Sequence, residues 1–192
     1  MRNALDIKAI AIHCTAGYSH VPAIEDFWKR PKDQGGAGWK YSKGYHVIID
    51  RVGAKWYLKN SRANRGYTLN IEECDWGAIT NGIRGFNELL INIAYIGGVN
   101  IDNYKIAEDS RTPEQKTALI EVCYEALEWL RSKGNDINKI DIWGHRDFSF
   151  DNNKNGVIDS YERIKECPSF DAMEGLGWIT NTKKLPVPKK VK

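Results

Sequence analysis

Apolar and polar positions along this chain switch between two periods, and each switch marks an element. Residues 7–12 (IKAIAI) form a short, nearly continuous apolar run, the mark of an interior strand, and deliver His13 at its C-terminal end. Residues 45–50 (YHVIID) and 55–58 (KWYL) flank a turn at Arg51–Gly53 and read as a hairpin. Tyr45 and His46 are neighbours on the first of these strands, so only one of them can face a cleft. Residues 91–96 (INIAYI), closed by Gly97-Gly98, and 139–143 (KIDIW) predict two more strands, the second delivering His145. If the strands that carry His13 and His145 are parallel neighbours, the two imidazoles stand side by side.

Two segments have helical spacing instead. After HCTAGYSH, Pro22 suits a first helical turn, and Ile24, Phe27 and Trp28 fall on one face. Thr112-Pro113-Glu114-Gln115 is a strong helix start, with a Thr cap, Pro at the first position and Gln three residues on. The helix it opens carries Leu119, Ile120, Cys123, Leu127 and Leu130 on one face and stops near Gly134. The GGAGWKYSKG segment is a loop in which Trp39 and Tyr41 would line a surface. It lacks the Lys-Ser/Thr pair and following helix of a phosphate loop. From Asn60 to Asn87 periodicity fades, which predicts long loops forming a functional surface. Strands mixed with helices make this an α/β chain, expected to form a single domain with a central mixed β-sheet flanked by helices.

Composition narrows the class. A chain of 192 residues is long enough for one well-buried domain and short for two, and its 42% hydrophobic and 28% charged residues are ordinary for a globular protein. The net charge of +3 suits an anionic polymer, but no basic stripe with interleaved aromatics points to nucleic acid. Four cysteines (Cys14, Cys74, Cys123, Cys167) are too few for a disulfide scaffold, and Cys14 and Cys123 are expected as buried free thiols. Asp6 and Lys8 interrupt the apolar core that a signal peptide needs, so synthesis in the cytoplasm without a signal peptide is expected. No run approaches a membrane span. Residues 1–180 are expected to be the domain and 181–192 a basic, solvated tail.

Candidate chemistry concentrates between Trp143 and Asp171. A catalytic zinc takes three protein ligands, and His13, His145 and Cys167 form such a set, although any chain with four histidines offers many triples. The stretch between the last two is more specific. Asp151, Asn153, Asn155, Gly156 and Glu162 fill D-x-[DN]-x-[DN]-G-x5-E, with Asp159 at the ninth position and Val157 offering its carbonyl. Oxygen ligands alternate, a glycine makes the sharp turn and a bidentate glutamate closes the shell of an EF-hand-like calcium loop (151–162). An Asn/Gly-rich turn that imitates the pattern is the plainer alternative. Long flanking helices are missing, so a structural calcium is expected rather than a switch.

Six blocks, in order, resemble one family. IAIHCTAG, GYHVIIDRVG, GIRGFN followed by INIAYIGG, TPEQ heading a helix, GHRD and KECPSFD are similar to the zinc-dependent N-acetylmuramoyl-L-alanine amidases, which include phage lysozyme-type amidases and peptidoglycan recognition proteins. The resemblance spans about Ile7 to Asp171. It implies the amidase fold, zinc held by His13, His145 and Cys167, and catalytic roles for Tyr45 and Lys165. It also implies a peptidoglycan or muropeptide substrate and action on the bacterial wall, as in a phage or prophage endolysin. A cytoplasmic wall-recycling amidase and a non-catalytic peptidoglycan-binding module are the competing readings. Cys167 favours an enzyme, because recognition-only relatives typically lack that ligand. A monomer is expected. Many members carry a histidine where this chain has Gly82. No glutamate is an obvious general base, and His46 is expected on the side of its strand away from Tyr45.

Overall fold

The structure is a computed structural model that describes residues 2–39, 43–59, 66–156 and 158–182. Tyr41, Val157, part of the 60–87 region and the basic run after residue 182 lie outside them. Six strands form one mixed sheet: β1 (Ala9–Cys14), β2 (Val47–Ile49), β3 (Lys55–Leu58), β4 (Tyr67–Thr68), β5 (Leu90–Tyr95) and β6 (Asp141–Gly144). Their order is β4-β3-β2-β5-β1-β6. β1 runs parallel to both β5 and β6, and β2 parallel to β5, while β2–β3 and β3–β4 are antiparallel. β1 therefore lies inside the sheet, which is why its residues read as one apolar run.

The strand carrying His13 extends further than its apolar pattern suggests. Pairing with β5 continues through His13↔Ala94 and Cys14↔Tyr95, so His13 lies within β1 rather than just past it. Side chains alternate across the sheet. Ile10, Ile12, Ile91, Ile93 and Ile142 turn to the side packed by α2 (Pro113–Ser132), against Leu119, Val122, Ala126 and Leu130. Ala9 and Ala11 face the other side with Ile83, Leu90 and Phe148. On α2 the buried stripe runs through Ala118, Val122 and Ala126 as well as Leu119, Cys123, Leu127 and Leu130, and Ile120 sits at its margin.

α2 begins at the reciprocal cap expected from Thr112. The Gln115 N–H donates to Thr112 Oγ1 and the Thr112 N–H to Gln115 Oε1, each at 3.1 Å. Thr112 also donates its hydroxyl to the Arg51 carbonyl (3.0 Å), tying the helix start to the β2–β3 turn. Thr112→Ala should cost about 1–2 kcal/mol in urea unfolding, because cap and tie are lost together. A change below ~0.3 kcal/mol would show that the cap is dispensable.

α1 (Val21–Lys29) is capped by His20, whose Nδ1 accepts from the Ala23 N–H (3.1 Å). Here the face expected from helical spacing is divided. Val21 and Trp28 are buried against Ile48 and Leu58, but Phe27 is 47% exposed. A short α3 (Ala172–Leu176) packs beside β6. Among the described residues, no helix is long and apolar enough to cross a membrane.

Candidate metal centre

The β1/β6 pairing sets Ile12 opposite Gly144, which puts His13 and His145 next to each other, with ring centroids 4.9 Å apart. Cys167 arrives from the segment after β6. The Arg146 N–H donates to the Cys167 carbonyl (2.7 Å), and the Cys14 N–H donates to Cys167 Sγ (3.2 Å). The turn that follows is held by the Tyr95 hydroxyl on the Pro168 carbonyl and the Ser169 hydroxyl on the Gly98 carbonyl, each at 2.6 Å. Gly144 permits this approach, since a Cβ there would lie 2.6 Å from Pro168 Cδ.

One ligand atom each from His13, His145 and Cys167 lies within 4.8 Å of the others. Among the described residues they are the one such set of three His, Cys, Asp or Glu side chains. His13 Nδ1 is 3.9 Å from Cys167 Sγ. Two ligand bonds of about 2.1 and about 2.3 Å at a tetrahedral angle would hold nitrogen and sulfur about 3.6 Å apart, so little movement is needed to share one ion. Two imidazoles and a thiol suit zinc, and a three-ligand set leaves a coordination position open.

Electrostatics prepares the same set. Burial lowers the His13 pKa to about 3, with His145 as the next cause, and lowers His145 to about 4, with Lys165 as the next cause. Both imidazoles are therefore neutral at pH 7, as metal ligands must be. Burial pushes the Cys167 thiol up, so a cation entering here would displace its proton. Lys165 is exposed at the rim, and its charge acts on both histidines and on Cys167.

Tyr45 lies beside the centre, its ring 5.1 Å from that of His13 and 5.7 Å from Trp28. Burial raises its pKa, so it is a neutral phenol that can donate a hydrogen bond. It also lines a cleft of about 610 Å³ whose other walls include Thr15, Tyr18, Phe27, Trp28 and Tyr104. Phe27 is thus a cleft residue rather than a core one, which accounts for its exposure. Trp39 stacks on Trp28, one of these wall residues, at 6.0 Å.

Sequence reasoning missed the partner of His13. Asn92 is fully buried and its Oδ1 lies 2.9 Å from His13 Nε2. One signal was available, a lone polar residue in the apolar run INIAYI. A Cβ at Gly82 would sit 2.3 Å from Asn92 Oδ1, so Asn92 fills the space beside that glycine. His46 is also buried and joins Asn92 rather than the cleft.

In the 151–162 loop, the described residues 151–156 and 158–162 are tied together by local hydrogen bonds. Asp151 accepts from the N–H groups of Asn155 (3.2 Å) and Gly156 (2.8 Å), and Gly156 takes φ 86°, the left-handed turn that a side chain disfavours. Glu162 turns inward and accepts from the N–H groups of Asn152 (2.7 Å), Asn153 (3.0 Å) and Asp159 (3.0 Å). Asp159 accepts from the side-chain amides of Asn153 (2.9 Å) and Asn155 (3.0 Å). The flanking elements are single 3-10 turns, His145–Phe148 and Ser160–Glu162.

Comparison with solved structures shows which class this architecture belongs to. The chain superposes with a TM-score of 0.52 on the N-acetylmuramoyl-L-alanine amidase LysC from Clostridium intestinale URNW, at 20% identity, covering 94% of this chain and 89% of that one. It superposes at 0.55 on the complex of the peptidoglycan recognition protein ectodomains LCa and LCx with tracheal cytotoxin, at 19% identity over 97% and 87% of the two chains. The fold is that of the N-acetylmuramoyl-L-alanine amidases and peptidoglycan recognition proteins. No family model matches the sequence. The chain belongs to the same family as a Haemophilus influenzae protein described as uncharacterized, which is 32% identical over 100 residues, 52% of this chain and 78% of the relative.

Proposed function

We propose that this protein is a zinc-dependent N-acetylmuramoyl-L-alanine amidase of the endolysin kind, cleaving the amide between the lactyl group of N-acetylmuramic acid and L-alanine. The observation that carries this reading is the convergence of His13, His145 and Cys167 beside Tyr45, whose ring also lines an aromatic cleft. When bound, zinc supplies Lewis acidity, which polarises the scissile carbonyl and acidifies water. The chain's own groups do the rest. The cleft walls hold the substrate and exclude solvent from one side of the amide. The neutral Tyr45 hydroxyl donates to the carbonyl oxygen as negative charge develops there, and the Lys165 ammonium stabilises the same charge from the rim. Cleavage should release a new L-alanine amino terminus from purified peptidoglycan. Elemental analysis showing zinc, together with that product, would support the proposal. A zinc-loaded protein that binds peptidoglycan but releases no amino termini would favour the recognition reading instead.

The Asp151–Glu162 loop is proposed as a structural calcium site. Support comes from its alternating oxygen side chains, the left-handed Gly156 and the inward-turned Glu162. The loop lies between His145 and Cys167, so ordering it fixes how Lys165 and Cys167 return to the metal centre. Asp151→Ala and Glu162→Ala should lower thermal stability and zinc retention together. For Glu162, losing three charge-assisted bonds of about 2 kcal/mol net corresponds to about 4–8 °C in Tm. Unchanged Tm and zinc content in both variants would refute the link.

A further inference from the structure

Asn92 belongs to a buried hydrogen-bond chain whose direction can be worked out from one fixed donor. The backbone N–H of Asn92 donates to His46 Nδ1 (2.9 Å), so that nitrogen is an acceptor. His46 then carries its proton on Nε2, which donates to the Ala78 carbonyl (3.0 Å), while Arg2 Nη2, 3.1 Å from that nitrogen, directs its protons to the Trp76 carbonyl (3.2 Å) instead. Thr80 Oγ1, 3.3 Å from His46 Nδ1, can direct its own proton there only by sharing that lone pair with the Asn92 N–H. Its free lone pair accepts from the side-chain amide of Asn92, 2.9 Å away, and this fixes which end of the amide is nitrogen. Asn92 Oδ1 therefore faces His13 Nε2 at 2.9 Å and can only accept.

We propose that the buried chain His46–Thr80–Asn92 positions His13, keeping its proton on Nε2 and its Nδ1 lone pair turned toward Cys167 and His145. Asn92 is then a positioning residue of the metal centre, an inference that rests on the zinc reading for its functional meaning. Without Asn92 the imidazole is free to exchange tautomers, and one of the two presents an N–H to the ion. A partner on the far nitrogen of a ligating histidine is typically worth about 10–100-fold in metal affinity. Gly82 belongs to the same device, because a side chain there would occupy the position of the Asn92 amide.

Long-range proton–nitrogen NMR on the metal-free protein reads the His13 tautomer directly, and zinc titration reads its consequence. Wild type should show the Nε2–H tautomer alone. Asn92→Ala should show mixed tautomers and bind zinc about 10–100-fold more weakly, and Asn92→Asp, which keeps the acceptor, should restore both. Thr80→Val leaves Asn92 in place but removes the group that orients its amide, so it should also mix the tautomers. It decides the matter if Asn92→Ala fails to fold. An unchanged Nε2–H tautomer in Asn92→Ala, or in Thr80→Val where the alanine variant does not fold, would overturn the proposal. So would zinc affinity within twofold of wild type for Asn92→Ala. A wild type with the Nε2–H tautomer that takes up no zinc would support the positioning and overturn the metal reading. A zinc-binding wild type with the His13 proton on Nδ1 in its metal-free state would do the reverse.

Discussion

Cys167→Ser is expected to lose stoichiometric zinc and to lower peptidoglycan amide hydrolysis by more than ~10³-fold, about 4 kcal/mol of transition-state stabilisation, while the protein stays folded. The substitution is nearly isosteric. Its hydroxyl can still accept from the Cys14 N–H that reaches Sγ at 3.2 Å, so the turn that returns to the centre keeps its tie. What disappears is the soft, ionisable ligand, and two neutral imidazoles alone hold zinc poorly at neutral pH. Cys14 supplies the control. Its thiol is buried close to Cys167 but is not part of the converging set, so Cys14→Ser should retain zinc and most activity. Circular dichroism, elemental analysis and a wall-hydrolysis assay on the three proteins separate the outcomes. Full zinc content with activity within tenfold of wild type in Cys167→Ser would remove the thiolate from the mechanism. An equal loss in Cys14→Ser would mean that packing around the turn, not ligation, is being measured.

Local signals were legible where one element suffices to express them. The α2 start could be read because a cap is a four-residue affair, and Thr112 and Gln115 bond each other as their spacing requires. The central strands could be read because burial on both faces leaves a continuous apolar run. Features set by which strands become neighbours were harder to see. β5 enters between β2 and β1, out of sequence order, and only that insertion brings Asn92 beside His13 and His46. Phe27 has the right helical phase for the core, but α1 overhangs the cleft, so phase alone misplaces it. β4 spans two residues and α3 five, both too short for a period to show. The same limit applies to the metal set. Chain separation hides the approach of Cys167 to His13, and the sequence alone points to it through family resemblance rather than through any local pattern.

Acid should destabilise the metal-free protein through the two imidazoles themselves. Burial holds His13 at about 3 and His145 at about 4 in the folded chain, whereas each returns to about 6.5 when unfolded. Well above pH 6.5 neither state binds these protons, and the pair adds no pH dependence. Below it the unfolded chain takes up protons that the folded chain refuses, so stability falls with pH until the folded imidazoles titrate between about 4 and about 3. At pH 5 the cost is about 2 kcal/mol for each ring, or about 4 together, a large share of the 5–15 kcal/mol that is typical of a whole domain. Half-buried Asp147 works in the opposite direction, since burial raises its pKa, but that carboxyl matters only nearer its own titration range. Urea unfolding of the metal-free protein at pH 7, 6 and 5 should therefore show a progressive loss concentrated below pH 6.5, and replacing both histidines with asparagine should flatten it. Stability that stays level from pH 7 to pH 5 in the wild type would mean that the imidazoles are solvated or already paired in the folded state. They would then lack the dry, neutral environment on which ready metal ligation depends.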